Sequence, residues 1–195
     1  MVWHFWIIPV LLAAAGLCMG AERGGVRTTL RLPFKGDIKR ESRFLAQYGQ
    51  FVCTAIAAVL VWQLDPDRSR KGPIVPTVIG VMLASTLAAT IKRSLGRVRP
   101  GYPRAGKFLG PSFKHNNQRE SFPSSHTACA VALSTGLAWM YPAAAVTFWG
   151  LALICAALRY LLDAHWPSDI LGGVALGYGC AGLAWWYCVV LHPNW

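Results

Sequence analysis

The chain is rich in hydrophobic residues and poor in charged ones. Of its 195 residues, 54% are hydrophobic and 14% are charged, whereas a soluble domain carries about 25% charged residues. The formal net charge is +11, but the basic residues lie in loops between apolar segments rather than on a polar fold, which argues against a nucleic-acid-binding protein. The composition predicts an all-α, polytopic membrane helical bundle.

Six apolar segments, taken in chain order, predict six transmembrane helices within one domain, residues 1–195. They are residues 3–21, 44–64, 73–91, 127–141, 143–162 and 168–191. The first lacks the basic start of a signal peptide and approaches the roughly 20 residues that span a bilayer, so we expect a retained helix. The fourth is short unless its helix begins at Pro123, where a missing N–H costs nothing.

Other features of the chain leave alternatives open. Residues 22–43 predict either an amphipathic stretch on the membrane surface or a solvated loop, and residues 101–122 predict an irregular loop. Gly173 and Gly177 have the spacing of closely packed helices, which indicates packing within one bundle or a dimer face. The six cysteines have no metal-type spacing, so we interpret them as small buried residues without disulfides or zinc.

Three motifs, at residues 92–100, 123–126 and 159–169, hold most of the ionisable residues next to the apolar segments. With six spans, the ends of the third and fifth and the starts of the fourth and sixth lie on one face of the membrane. The motifs are therefore expected to converge at one depth. Charges beside apolar helices are costly, so we interpret this convergence as a functional site.

The residue types in these motifs suit phosphoryl transfer. A phosphate monoester is a dianion, so its reaction needs cations around the phosphate oxygens, an in-line nucleophile and an acid for the leaving group. The candidate cations are Lys92, Arg99 and Arg159. Backbone N–H groups of Ser124, Ser125 and His126 would form an anion-binding helix N-terminus, with the Ser124 hydroxyl as a further donor.

Two histidines would divide the chemistry. Asp169, four residues after His165, is placed to accept a hydrogen bond from one ring nitrogen of His165 and to support positive charge on the ring. The other nitrogen would attack phosphorus and form a phosphohistidine. His126 would protonate the leaving alkoxide and later take a proton from water. This set of residues requires no metal and no cofactor.

The remaining histidines and basic residues are expected to have ordinary roles. We interpret His4, His115 and His192 as structural or interfacial residues. Six further basic residues are expected mostly to be solvated or to contact lipid headgroups: Arg93, Arg97, Arg104, Lys107, Lys114 and Arg119.

The three motifs resemble, in order and internal spacing, the signature of the type 2 phosphatidic acid phosphatase superfamily. The matching patterns are Lys92-x6-Arg99-Pro100, Pro123-Ser124-Ser125-His126 and Arg159-x5-His165-x3-Asp169. The resemblance implies a metal-independent helical-bundle phosphatase. It also implies His165 as nucleophile, Asp169 as its partner, His126 as acid, and Lys92, Arg99, Ser124 and Arg159 as phosphate binders.

This chain departs from the family pattern at two positions. Ser125 replaces the usual glycine before the second-motif histidine, so a side chain lines the pocket there. Leu158 replaces the usual serine before the third-motif arginine. We expect these differences to alter substrate fit more than activity.

The resemblance favours a phosphatase whose partners are a phosphorylated lipid substrate and the surrounding membrane lipids. Candidate substrates are phosphatidic acid, phosphatidylglycerol phosphate, an isoprenyl diphosphate and a phosphorylated lipid A. One alternative is a phosphotransferase that passes the phosphoryl group to an alcohol. Another is a non-enzymatic anion carrier, which would need the cations but no paired nucleophile and acid.

The membrane orientation is predicted differently by two observations. Sixteen of the 19 Lys and Arg residues lie on the motif face, and three, Arg68, Arg70 and Lys71, lie on the other. The positive-inside rule would therefore place the site in the cytoplasm. The resemblance implies a site facing the periplasm, cell exterior or organelle lumen. We favour a bacterial cytoplasmic membrane protein with an outward-facing site.

Overall fold

A computed structural model describes residues 4–26, 28–30, 32, 35–66, 71–112, 114 and 116–191, and the regular secondary structure of these residues is helical. The helices are α1 (Ile7–Arg23), α2 (Gly36–Leu45), α3 (Phe51–Leu64), α4 (Lys71–Leu95), α5 (Ser125–Met140), α6 (Ala145–Leu161) and α7 (Pro167–Trp185). Short 3-10 turns occupy Asn117–Arg119 and Pro142–Ala144, and a π-helical segment, Trp186–Leu191, follows α7. The described residues contain no β-strand; isolated bridge residues occur at Arg97 and Phe108, which pair with each other, and at Leu162. The all-α prediction is confirmed.

Within the part of the chain that the structure describes, three helical segments are long and apolar enough to cross a bilayer: Gly72–Leu95, Pro142–Leu161 and Pro167–Cys188. The chain is therefore an integral membrane protein. Helices α1, α3 and α5 coincide with the other three predicted spans but contain 17, 14 and 16 residues, fewer than the roughly 20 that span 30 Å of hydrocarbon. The six-span layout stays a prediction.

Helix α5 lies at the centre of the bundle, in contact with α4, α6 and α7. Nearly all of its residues from Thr127 to Met140 are buried, and most are small. Helix α7 approaches it closely, because a Cβ at Gly173 would lie 2.7 Å from the carbonyl oxygen of Ser124 and 3.1 Å from the Cβ of Thr127. The predicted packing of Gly173 and Gly177 within one bundle is confirmed.

The start of α5 differs from the prediction. The helix begins at Ser125, not at Pro123, because Ser124 is the N-cap and its side chain accepts hydrogen bonds from the backbone N–H and the hydroxyl of Thr127. The backbone N–H of Ser124 donates to the carbonyl oxygen of Asp169 at 2.9 Å. This bond ties the second motif to the first turn of α7.

The segment that was predicted to be either amphipathic or a loop contains α2. Its exposed side chains include basic residues, among them Arg40 and Arg43, together with Ile38 and Phe44. Such a helix is suited to lie on a membrane surface, which favours the amphipathic alternative for residues 36–45.

The motif-bearing helix ends meet at one end of the bundle, as predicted. Lys92 at the end of α4 donates a hydrogen bond to Ser125 at the start of α5, with an Nζ–Oγ distance of 3.0 Å. Glu22, near the end of α1, contacts Ser168 at the start of α7. All six cysteine thiols are free, and four of them are buried.

Candidate active site

His165 and Asp169 form a buried pair at the start of α7. His165 lies in the turn before the helix, and Asp169 occupies its first turn. The distance from Nδ1 of His165 to Oδ2 of Asp169 is 3.5 Å, and both side chains are fully buried. This separation is longer than the roughly 2.7–3.2 Å of an N–H···O hydrogen bond, so the two groups face each other as a close pair of opposite chemical character.

The Asp169 carboxylate is held by three further donors. Its Oδ1 accepts from Nη1 of Arg97 at 2.5 Å. Its Oδ2 accepts from Oγ of Ser121 at 2.5 Å and from the backbone N–H of Trp166 at 2.9 Å. The last bond follows from the local sequence, since a carboxylate at the third position of a helix can reach back to the N-cap. The carboxylate beside His165 is therefore fixed in position.

The His165 ring is kept neutral by its surroundings. Burial lowers the pKa of His165 to about 3, and the charges of Lys92 and Arg99 add to this effect, while Asp169 opposes it. Within the described part of the chain neither ring nitrogen has a hydrogen-bond partner. At neutral pH the ring thus has a lone pair available for attack, which is the state a nucleophilic histidine requires.

The structure brings the three predicted cations together. Lys92, Arg99 and Arg159 all lie within electrostatic reach of His126. None of them takes part in an ion pair among the described residues. The buried Nε atoms of Arg99 and Arg159 have no hydrogen-bond partner there either. Because buried donors normally have partners, this cluster is suited to bind an anion.

The N-terminus of α5 contributes less to this site than predicted. The backbone N–H of Ser124 is occupied by Asp169 and is not available to a phosphate oxygen. The first N–H groups of a helix have no intrahelical partner, which leaves those of Ser125 and His126. The Ser124 hydroxyl accepts from Thr127 and still has its own proton to donate. Nδ1 of His126, at the second residue of α5, has no partner among the described residues.

Arg97 lies at the site, although its position in the sequence did not indicate this. It differs from the solvated or headgroup-contacting state expected for most of the six further basic residues, because its side chain is fully buried and pairs with both Glu22 and Asp169. Its guanidinium carbon lies 5.5 Å from the ring centroids of both Phe108 and Trp166. Glu22 carried the available signal: an acidic residue at the end of an apolar helix needs a cationic partner.

The other basic residues behave as expected where the structure describes them. Four are exposed: Arg93, Arg104, Lys107 and Lys114. Arg119 is half-buried and donates to the carbonyl oxygens of Leu109 and Gly110. His4 is exposed, and His115 and His192 lie outside the described residues. The described residues include no cluster of three or more metal-type ligands.

Comparison with known proteins gives consistent similarities. Residues 73–192 match the profile of the PAP2 superfamily. The lipid A 1-phosphatase of Rhizobium johnstonii is 34% identical over 98 residues, which are 50% of this chain and 40% of that protein. The decaprenylphosphoryl-5-phosphoribose phosphatase of Mycobacterium tuberculosis is 32% identical over 139 residues, which are 70% of this chain and 72% of that protein.

The fold is also similar to a solved structure. The crystal structure of Aquifex aeolicus LpxE superposes with a TM-score of 0.60 at 18% sequence identity, covering 78% of this chain and 87% of that one. At this identity the likeness concerns the fold alone. The chain spans 40% and 52% of the lengths of the two lipid A 1-phosphatases that it matches.

Proposed function

The chain belongs to the PAP2 superfamily, and we propose that it is a metal-independent membrane phosphatase that hydrolyses a lipid phosphate monoester or diphosphate through a phosphohistidine. One observation carries the proposal: a buried, neutral histidine backed by a fixed carboxylate lies beside three cations that form no ion pair with any residue the structure describes. The relatives named above are phosphatases of lipid-linked phosphates, which supports the same class of substrate here.

The first step is capture of the phosphate. Lys92, Arg99 and Arg159 would neutralise its charge, with the arginines as two-pronged donors. The N–H groups of Ser125 and His126 and the Ser124 hydroxyl would bind further oxygens. Lys92 would exchange its bond to the Ser125 hydroxyl for one to the phosphate. His165 has no exposed surface, so the side chains that cover it must move apart as the phosphate enters.

The second step is attack by His165. Its unprotonated Nε2 forms a bond to phosphorus while the bond from phosphorus to the leaving oxygen breaks. Burial, together with the charge of Arg159, lowers the pKa of His126 to about 3, so this ring is neutral before the substrate enters. The negative charge of the bound phosphate would raise that pKa, and His126, protonated from water as the phosphate binds, would give its proton to the leaving oxygen. The proton on Nδ1 of His165 is shared with Asp169, which stabilises the positive ring of the phosphohistidine. Water then attacks phosphorus, His126 takes the water proton, and the N–P bond breaks to restore neutral His165.

A groove on the bundle reaches Ser125, at the edge of this site. It has a volume of about 460 Å³ and is lined by residues of α3, α4 and α5, from apolar Val78 and Met82 to Ser125. Ser125 contacts Lys92, so a lipid tail in the groove would present its phosphate to the cations. In this proposal α1 and α3 to α7 are six transmembrane helices, and the site faces the periplasm or exterior.

The proposal is tested by phosphate release from detergent-purified protein. The panel comprises phosphatidic acid, phosphatidylglycerol phosphate, undecaprenyl diphosphate and lipid A, each with EDTA present. His165→Ala tests the nucleophile, and His4→Ala, at an exposed position, is the matched control. We expect release that persists in EDTA, falls at least about 10³-fold in His165→Ala and is unchanged in His4→Ala.

Each contrary result would identify a different error. Release abolished by EDTA and restored by a metal would contradict metal independence. Full release by His165→Ala would exclude it as the nucleophile. Transfer of the phosphoryl group to an added alcohol, without release to water, would show a phosphotransferase. Phosphate binding without turnover of any lipid would indicate an anion-binding protein.

A further inference from the structure

We propose that Glu22 and Arg97 are positioning residues for the nucleophile, acting through Asp169 to set the charge behind His165. This inference rests on the proposed phosphohistidine chemistry and adds to it a requirement for the first helix. Glu22 lies outside residues 73–192, which match the family profile, and outside the three motifs.

The four side chains form a continuous chain of contacts. Oε2 of Glu22 accepts from Nη2 of Arg97 at 2.6 Å. Nη1 of the same arginine donates to Oδ1 of Asp169 at 2.5 Å. The other carboxylate oxygen of Asp169 faces Nδ1 of His165 at 3.5 Å. One guanidinium group thus joins a carboxylate of α1 to the carboxylate that supports the nucleophile.

The ion pairs are shielded from water. The side chains of Arg97 and Asp169 have no exposed surface, and that of Glu22 is 2% exposed. Phe108 and Trp166 lie against the guanidinium. Charges in such surroundings interact more strongly than at a surface, so each charge in the chain affects the next.

Glu22 is also fixed to the start of α7. Its Oε1 accepts from the backbone N–H of Ser168 at 3.2 Å, and its Oε2 accepts from the Ser168 hydroxyl at 2.6 Å. That hydroxyl in turn accepts from Nη1 of Arg97 at 2.6 Å. A carboxylate at a helix N-terminus is favourably placed. Glu22 therefore has a defined geometry and is more than a diffuse counter-ion.

The sum of the charges explains why the site needs Glu22. Arg97 alone would neutralise Asp169 and leave no net negative charge to balance a positive imidazole. Glu22 adds the missing charge, so the three groups together carry −1. When His165 becomes positive on phosphorylation, the buried cluster becomes neutral overall. Because uncompensated buried charge is costly, this balance favours the phosphohistidine.

The test compares Glu22→Gln, Arg97→Gln and the double variant in full-length protein. The readouts are kcat, KM, trapped phosphoenzyme and the acidic limb of the pH dependence of kcat/KM. We expect Glu22→Gln to lower kcat roughly ten- to a hundredfold with little change in KM, as for other groups that orient a catalytic ligand. The double variant, which again has one negative charge, should recover part of this loss.

The acidic limb separates a charge effect from a mechanical one. Glu22→Gln removes negative charge near His165 and should move the limb to lower pH, whereas Arg97→Gln removes positive charge and should move it to higher pH. Ser168→Ala, which breaks contacts to both residues without changing charge, should leave the limb in place. If the acidic limb does not move in any variant, and the single and double variants lose kcat equally, then Glu22 and Arg97 only hold Asp169 in place mechanically. That result would overturn the inference.

The remaining outcomes also decide the matter. If the Glu22→Gln protein folds and its kcat is within twofold of that of the unaltered protein, the inference is overturned. Trapped phosphoenzyme in the unaltered protein would in that case still support the proposed function. No phosphoenzyme in the unaltered protein would overturn both. If Glu22→Gln does not fold, the double variant is compared with Arg97→Gln, since removal of both partners of a buried pair is better tolerated. The acidic limb of the double variant should then lie at lower pH than that of Arg97→Gln. Acidic limbs at the same pH in these two proteins would overturn the inference.

Discussion

At the level of single residues, His165 links the chemistry of the site to the stability of the fold. Burial lowers the pKa of this histidine to about 3, whereas an unfolded chain would have a value of about 6.5. Between these values the unfolded chain binds a proton that the folded protein does not. We therefore expect stability to fall as pH decreases from about 6.5 towards 3, by up to about 1.4 kcal/mol per pH unit for this residue.

This pH effect is measured by thermal unfolding in detergent across that range. The decrease in stability per pH unit should be smaller in His165→Ala than in the unaltered protein, because the variant lacks the group that resists protonation. His4→Ala, which alters an exposed ring, should keep the original slope. Identical slopes for all three proteins would show that His165 is not held neutral by the fold.

Asp169 is the second residue whose role is tested directly. Asp169→Asn keeps the size of the side chain but replaces an acceptor with an amide that must face donors from Arg97, Ser121 and Trp166. We expect kcat to fall at least about 10³-fold, as when a histidine loses the carboxylate that fixes its tautomer. Stability should fall by about 3–5 kcal/mol, because Arg97 loses a buried partner.

Ser121→Ala is the control for this substitution, assayed for phosphate release and for unfolding. It removes one donor to the same carboxylate without changing its charge, so the expected loss of stability is about 1 kcal/mol. A kcat for Asp169→Asn within tenfold of the unaltered protein would contradict the assigned role.

The residues that sequence could and could not predict differ in how they are encoded. His126, His165, Asp169 and the three cations stand at fixed spacings within short motifs, and the structure places all of them at one end of the bundle. Arg97 and Glu22 are 75 residues apart in sequence, and nothing local to either position indicates the other. Their pairing depends on α1 packing against α7, which no motif spacing specifies.

At the level of helices, the contact between α5 and α7 holds two motifs together. A Cβ at Gly173 would lie 2.7 Å from the carbonyl oxygen of Ser124, directly before the candidate phosphate-binding turn. We expect Gly173→Ala to cost about 1–3 kcal/mol through overpacking and to lower activity by displacing that turn. Thermal unfolding and phosphate release measure the two effects.

Gly179→Ala in the same helix is the matched control. A Cβ there would meet only Cδ1 of Ile8, at 3.5 Å, which is an ordinary contact. Alanine is preferred over glycine in a helix interior, so this variant should be neutral or slightly more stable. Equal losses of stability and activity in both variants would indicate that alanine is unfavourable at either glycine of α7, and that the close approach of α7 to α5 is not the reason.

Helix boundaries were predicted less well than helix positions. Apolar segments located all six long helices, because burial and membrane insertion both require them. The start of α5 was wrong by two residues, since the Ser124 N-cap and its backbone bond to Asp169 end the loop there. Proline statistics favour Pro123, but they contain no information on a tertiary hydrogen bond to another helix.

At the level of the whole molecule, the distribution of charge and the proposed function make different demands on orientation. The predicted six-span layout puts sixteen of the 19 Lys and Arg residues on the motif face, which by the positive-inside rule would be cytoplasmic. The structure assigns four of these, Lys92, Arg97, Arg99 and Arg159, to the site rather than to a loop. Without these four, twelve Lys and Arg residues remain on the predicted motif face against three on the other face. The charge distribution alone therefore does not predict an outward-facing site.

Labelling with a membrane-impermeant maleimide on intact spheroplasts decides between the two orientations. Lys107→Cys places a thiol on the exposed loop beside the site, and Ala143→Cys places one at the opposite end of the bundle, where Ala143 is also exposed. An outward-facing site requires labelling of Lys107→Cys in intact spheroplasts and of Ala143→Cys only after permeabilisation. The unaltered protein, with its six thiols in helices, gives the background. The reverse pattern would place the site in the cytoplasm, and its substrate would then be a lipid phosphate of the inner leaflet.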